Sequence, residues 1–417
     1  MFRRQYHRLV RINRFDLHST GNRGARAHVL ACVAVKTPSY WRRPALLRAP
    51  DEERHATWLE LFFDLCFVAA VAALASELHS DPSLGGLLRF AGLFVPVWWA
   101  WMGFTWYASA FDNDDAVFRI YMLGAMLAVV VLAANVGGID EGNSTGFVLS
   151  YAAMKYVLAA MFIRARLHAS EWSGFCNRYA ASNAIGATVW LSSLAVMGSG
   201  RYWLWALAMV VLMTGPVIAV RSYEGVAFNH DHITERYGLF TIIVLGESIV
   251  VAASGISELG GETPVLVSAA AGFALAACIW WMYFEFVGSS ALSRDTLLTS
   301  FVWGYGHMFV FSGIAAAAVG VELVVEAAAA GEPFTGVDRW VLALGLVAFL
   351  SAITVIHAVT VRGLDIVTWW RTVAAALIML LALAELDAVT AIGATVAIVL
   401  TLLAMESMRA ARTPRSA

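Results

Sequence analysis

Three carboxylates stand in stretches too apolar to welcome them. Glu60 and Asp64 interrupt Trp58-Leu-Glu-Leu-Phe-Phe-Asp-Leu65, and Glu247 interrupts Ile242-Ile-Val-Leu-Gly-Glu-Ser-Ile249. An ionisable side chain in hydrocarbon costs about 2.5–3.5 kcal/mol on insertion scales, so each is a candidate for work. At i, i+4 spacing Glu60 and Asp64 share one helix face, with Asp64 one turn deeper. Two adjoining carboxylates in a low dielectric do not both ionise readily, which suits a proton carrier. The competing expectation is an ion pair with an arginine of another helix, Arg119 or Arg178. Glu247 follows Arg236 by eleven residues, about 16 Å along a helix axis and about 20° round it. Arg236 then marks the rim of the face on which Glu247 lies near mid-membrane, and Gly246 beside it admits a neighbouring backbone. Glu247, Asp64 and Glu60 are therefore the candidate proton carriers or acids.

Further groups could assist them. His230-Asp-His232-Ile-Thr-Glu235 offers imidazole and carboxylate ligands suited to Zn or Fe. Its spacing is not H-E-x-x-H, so it carries no implication of zincin chemistry, and hydrogen bonding at the membrane surface is the competing role. His307, near the middle of an apolar run, can join a proton relay, or simply be a hydrogen-bonded core histidine. Glu285, Lys155 and His357 are further ionisable groups in apolar surroundings. Trp98-Trp-Ala-Trp-Met-Gly-Phe-Thr-Trp-Tyr107 and Trp280-Trp-Met-Tyr-Phe-Glu285 read as interfacial aromatic belts. On the same helices Trp101 and Glu285 could also line a pocket for a cation or an isoprenoid. With His307 and Arg236 they make the candidate substrate-binding set.

What must position these residues is a bundle in lipid. Hydrophobic residues make up 60% of the 417 and charged residues only 14%, where a soluble domain carries about 25%. Spans of roughly 20 apolar residues, the length needed to cross the hydrocarbon, are expected near 58–78, 88–110, 117–137, 147–167, 176–197 and 202–220. A second set is expected near 234–255, 264–287, 297–319, 340–360, 367–385 and 389–407. The fold class is thus an all-α integral membrane protein of about twelve transmembrane helices.

Arginine placement orients it. With the N-terminus inside, twelve arginines beyond the head fall on the cytoplasmic side and only Arg89, Arg201 and Arg339 outside, where the loops are acidic. Both ends are then cytoplasmic, and the expected location is the bacterial cytoplasmic membrane. Asp112-Asn-Asp-Asp115 is an acidic cluster on the basic side. The four cysteines are scattered without a C-x-x-C pair, which argues against a disulfide framework or a thiolate zinc site.

The sequence also repeats. Trp98-Trp99 returns as Trp280-Trp281 and Gly124-x-Met126 as Gly306-x-Met308, at one common interval. Asp64 falls one residue short of Glu247 at that interval. Six spans per half give both halves the same orientation, related by an axis along the membrane normal. The organisation reads as an Arg-rich, disordered cytoplasmic segment over 1–56, a first half over 57–221, a second over 222–408 and a basic tail over 409–417. An axis of that kind would set Asp64 and Glu247 at similar depth, facing a shared cavity.

At Glu60-Leu-Phe-Phe-Asp64-Leu-x-Phe-Val and His232-x-x-Glu235-Arg236-Tyr-Gly-Leu-Phe-x-Ile-Ile-x-Leu-Gly-Glu247-Ser, the chain resembles the bacterial low temperature requirement protein A family. The likeness runs over roughly 55–408 and implies an all-helical membrane protein without supplying a substrate. No nucleotide, cofactor or nucleic-acid motif is evident. The favoured reading is a proton-coupled secondary transporter of a small solute, with membrane lipids as surroundings. The alternatives are a membrane-embedded enzyme using a protonated carboxyl on a lipid or isoprenoid, and a non-catalytic factor for growth in the cold.

Overall fold

The computed structural model describes residues 45–46, 55–112, 114–139, 142–168, 172–221, 229–286, 297–334 and 336–412. The expectation of disorder over 1–56 therefore lies almost wholly outside the described residues, as does the end of the basic tail. The first six helices are α1 (Trp58–Ser80), α2 (Leu84–Ala110), α3 (Ala116–Ala133), α4 (Thr145–His168), α5 (Ser173–Ser192) and α6 (Gly200–Arg221). The next six are α7 (His230–Leu259), α8 (Thr263–Phe286), α9 (Leu297–Ala330), α10 (Asp338–Val361), α11 (Ile366–Leu381) and α12 (Ala388–Arg412). Every expected span has its helix. Among the described residues nine of these are long and apolar enough to cross a membrane. The polar residues of α5 lower its hydropathy, and α11 is short.

Local chemistry sets the ends. Thr57 caps α1 and receives the Glu60 side chain in return, a capping box. Asp115, Asn229 and Asp365 cap α3, α7 and α11 through their side-chain oxygens. Two short antiparallel pairs tie loops together: β1 (Ala45–Leu46) with β2 (Phe111–Asp112), and β3 (Pro333–Phe334) with β4 (Leu386–Asp387). The outer loop expected over 321–338 is a correction, because α9 continues to Ala330. Val321, Val324, Val325 and Ala328 are buried there, so the helix gains core contacts that a loop would forfeit.

The tightest packing joins α9 and α10. A Cβ on Gly320 would meet the Leu342 backbone at 2.4 Å, and one on Gly345 would meet Ala317 N at 2.5 Å. Small residues let two backbones approach this closely where lipid gives no hydrophobic drive. α1 packs against α2, α3, α7 and α9, which sets the first helix beside the seventh.

Candidate functional site

The α1–α7 contact is built on complementary spacing. Glu60 and Asp64 project from one face of α1, and His232 and Arg236, also four apart, project from α7. His232 Nε2 lies 3.4 Å from Glu60 Oε2, and Arg236 Nε donates to Asp64 Oδ2 at 3.1 Å, each pair 172 residues apart. Equal separations taken in the same order mean that the two helices run parallel here. Arg236 Nη2 donates to Asp64 Oδ1 at 2.5 Å, closing a bidentate pair. Its Nη1 reaches Glu60 Oε1 at 3.3 Å. All four side chains are buried, none more than 1% exposed.

Neighbouring groups fix the set. Trp101 of α2 donates its indole N–H to Asp64 Oδ1 at 2.7 Å and stacks on Phe240. The Thr57 backbone N–H and hydroxyl both donate to Glu60 Oε2. Ser109 Oγ donates to the Thr105 carbonyl and lies 2.8 Å from His232 Nδ1. If Ser109 spends its proton on Thr105, it accepts from an Nδ1–H of His232. His232 Nε2 then faces the Glu60 carboxylate, where a lone pair against an anion is repulsive and a proton between the two completes the contact. With that proton the charges of the described residues balance: two carboxylates against a guanidinium and an imidazolium.

Several expectations need correction. Neither Arg119 nor Arg178 partners the α1 carboxylates: Arg119 pairs with exposed Asp114, and Arg178 donates to the Ile218 carbonyl. Glu247 is not part of the set. It is half-buried on α7, eleven residues beyond Arg236 and thus about 16 Å further along. Asp64 sits level with Arg236, so Asp64 and Glu247 are at different depths. The helices meet at a separation of 172 residues, ten short of the sequence repeat, because α7 starts at His230, ten residues before Phe240, where the repeat would set the counterpart of Trp58.

Trp101 does not line a pocket with Glu285. It is fully buried against Asp64, whereas Glu285 is exposed on α8. Trp280 and Trp281 are about half exposed while Trp98 and Trp99 are buried, so the repeated tryptophans differ in surroundings. His307 is buried in α9, with Nδ1 2.6 Å from the Trp303 carbonyl and Nε2 3.0 Å from Tyr283 Oη. The Trp303 carbonyl requires an Nδ1–H, which leaves Nε2 to the Tyr283 hydroxyl, so both ring nitrogens have partners. His230, His232 and Glu235 do not converge either. His232 turns inward to Glu60 and Ser109, while Glu235 accepts from Ala56 N at the rim. Among the described residues the group with ligand atoms within 4.8 Å of one another is His79, Glu322 and Glu326, at the other end of α1. The Asp112–Asp115 cluster resolves in part: Asp115 is buried and pairs with Arg164 at 2.5 Å.

Ser109 and the pairing of His232 escaped the sequence reading. The signal was there for the second: two i, i+4 pairs of opposite sign, Glu60/Asp64 and His232/Arg236.

A family model described as bacterial low temperature requirement A protein matches residues 55–405, from the rim of α1 into α12. The chain belongs to this family. Both halves of the charge cluster fall inside the matched region of this low temperature requirement A protein. A Rhizobium meliloti (strain 1021) protein, "Uncharacterized protein RA0937", is similar at 28% identity over 302 residues. That alignment takes in 68% of this chain and 72% of the relative.

Proposed function

We propose that this family member is a proton-coupled secondary transporter whose proton is carried between His232 and Glu60. The observation that carries the reading is charge balance. Counted over the described residues, the buried set bridging α1 and α7 is neutral with that proton and has one negative charge in excess without it. A buried unpaired charge is costly, so loss of the proton disfavours the packing of α1 on α7. A proton that changes the contact between two halves is what coupling to alternating access needs.

The packing supports a two-half design. α1 packs on α2 and α3, α3 on α4, α4 on α5 and α5 on α6; α7 to α12 repeat each contact in the same order. Parallel α1 and α7 agree with halves of the same orientation, related by an axis along the membrane normal. The arginine bias supports both termini on the cytoplasmic face of the bacterial inner membrane. The isoprenoid-enzyme reading loses its pocket, since Trp101 and Glu285 do not meet.

The test is reconstitution in lipid vesicles holding a pH-sensitive dye, with small anions and neutral solutes imposed in turn as gradients. Solute-dependent proton movement is expected with the native chain and is expected to vanish in Glu60→Gln and His232→Gln proteins that still elute as folded particles. Proton movement unchanged in both variants contradicts the assignment.

A further inference from the structure

Lys155 has a different kind of site. It lies in the middle of α4, 0% exposed, and among the described residues forms no ion pair. Its Nζ donates to the Trp99 carbonyl at 3.2 Å and lies 5.3 Å from the centre of the Tyr151 ring. An ammonium carries three donors and no acceptor, so one carbonyl leaves most of its bonding capacity open. Beside it is a cavity of about 20 Å³ bordered by Trp99, Gly103, Tyr179, Asn183 and Tyr305. On this measure about 10–15 Å³ holds one water, so the space suits one water-sized occupant. Asn183 spends one amide hydrogen on the Tyr179 carbonyl, leaving its second.

We propose that this cavity, walled by α2, α4, α5, α6 and α9, is a binding site for one small monovalent anion, of fluoride or chloride size, held by the Lys155 ammonium. A cation buried without a partner is expensive in a membrane, and an anion within reach of Nζ offsets that cost. Gly103 makes the room: a Cβ there would stand 2.7 Å from Leu158 Cδ2 and 3.9 Å from Lys155 Nζ. The site is separate from the charge cluster, yet α2 borders both. Trp106, another wall of the cavity, donates to Tyr237 Oη at 3.1 Å, next in sequence to Arg236. Binding here does not depend on the transporter reading, and it is measured without transport.

The experiment uses the purified full chain in detergent, titrated with chloride, bromide, iodide and formate against gluconate at constant ionic strength. Equilibrium dialysis reads binding, and melting temperature reads the linked stabilisation. Saturable binding of one anion per chain is expected, with a rise in melting temperature on the same curve. In Lys155→Met both should disappear, the dissociation constant rising at least tenfold. Gly103→Ala keeps the charge and narrows the space, so iodide should weaken more than chloride. Formate and iodide, both larger than the space allows, should bind more weakly than chloride, and tighter binding of either contradicts the size of the site. No saturable binding by folded native protein, or equal binding by Lys155→Met, overturns the inference. If Lys155→Met does not fold, Gly103→Ala decides: a changed size order supports the site, and an unchanged one refutes it.

Discussion

Arg236 of α7 and Arg371 of α11 are both buried guanidiniums, and their partners differ in number. Arg371 of α11 meets one carboxylate, Glu406 of α12, through two bonds of 2.7 Å, and spends Nη1 on the Ile353 carbonyl at 3.0 Å. One plus meets one minus, with the remaining donor satisfied and no proton needed. Arg236 faces two carboxylates and needs protonated His232 to balance them. The first pair locks α11 to α12. On the proposed reading the second holds α1 to α7 only while a proton is present. Burial and geometry are similar at the two sites, so what separates a lock from a proton-sensitive contact is the count of charges.

The sharpest break is Arg236→Met, which strands Asp64 and Glu60 together. Removing one partner of a buried pair costs about 3–5 kcal/mol in soluble proteins. Arg236→Met should reach or exceed the top of that range, read as loss of the folded peak in detergent. Arg371→Met should cost about 3–5 kcal/mol, and adding Glu406→Leu should return most of it, since a well-packed apolar pair replaces a lone ion pair without penalty. The matching double change Arg236→Met/Asp64→Leu leaves Glu60 balanced by protonated His232, so its recovery should be lost as pH rises and the imidazole gives up its proton. Recovery independent of pH at both sites would erase the distinction.

Glu60→Gln should be milder, about 1–3 kcal/mol for disturbed buried hydrogen bonds, and melting temperature should lose the pH dependence that His232 contributes. A smaller effect belongs to Asp365, outside the membrane at the start of α11. Burial works against its charge, but the Thr368 N–H, then His357 and Arg409, hold its carboxyl below the usual value. A depressed folded value contributes stability above the unfolded carboxylate range and loses it as pH falls through the folded one. Asp365→Ala should therefore cost about 1 kcal/mol at neutral pH, mostly as a lost cap, and less in acid. Glu247→Gln should be smallest, within about 0.5 kcal/mol, because it breaks no contact among the described residues.

The order of helices was legible because apolar runs and Gly/Pro breaks are set by the bilayer, residue by residue. Arg236 and the α1 carboxylates could be singled out for the same reason. Their pairing was harder to read, since a helix face says which residues leave together but not which helix they meet. Glu247 looked deeper and more central because the sequence repeat aligned it with Asp64. The longer α7 slides that register by about three turns, a shift that no periodicity records. Trp101 was marked for the wrong reason: its indole N–H, not its ring face, does the work at Asp64. The extension of α9 to Ala330 was hidden by Glu322 and Glu326, which read as a loop yet lie on helical turns whose other face is buried.

The central claim is that a proton sits between His232 and Glu60, and the imidazole nitrogens report it. Nitrogen-15 spectra of histidine-labelled protein in lipid, with His232 assigned by difference against His232→Gln, read the protonation of Nδ1 and Nε2 directly. At neutral pH the native protein should show both nitrogens of His232 protonated, reverting to a neutral ring in Glu60→Gln. A His232 ring that is neutral at Nε2 in both proteins, with Glu60 ionised beside it, would contradict the account.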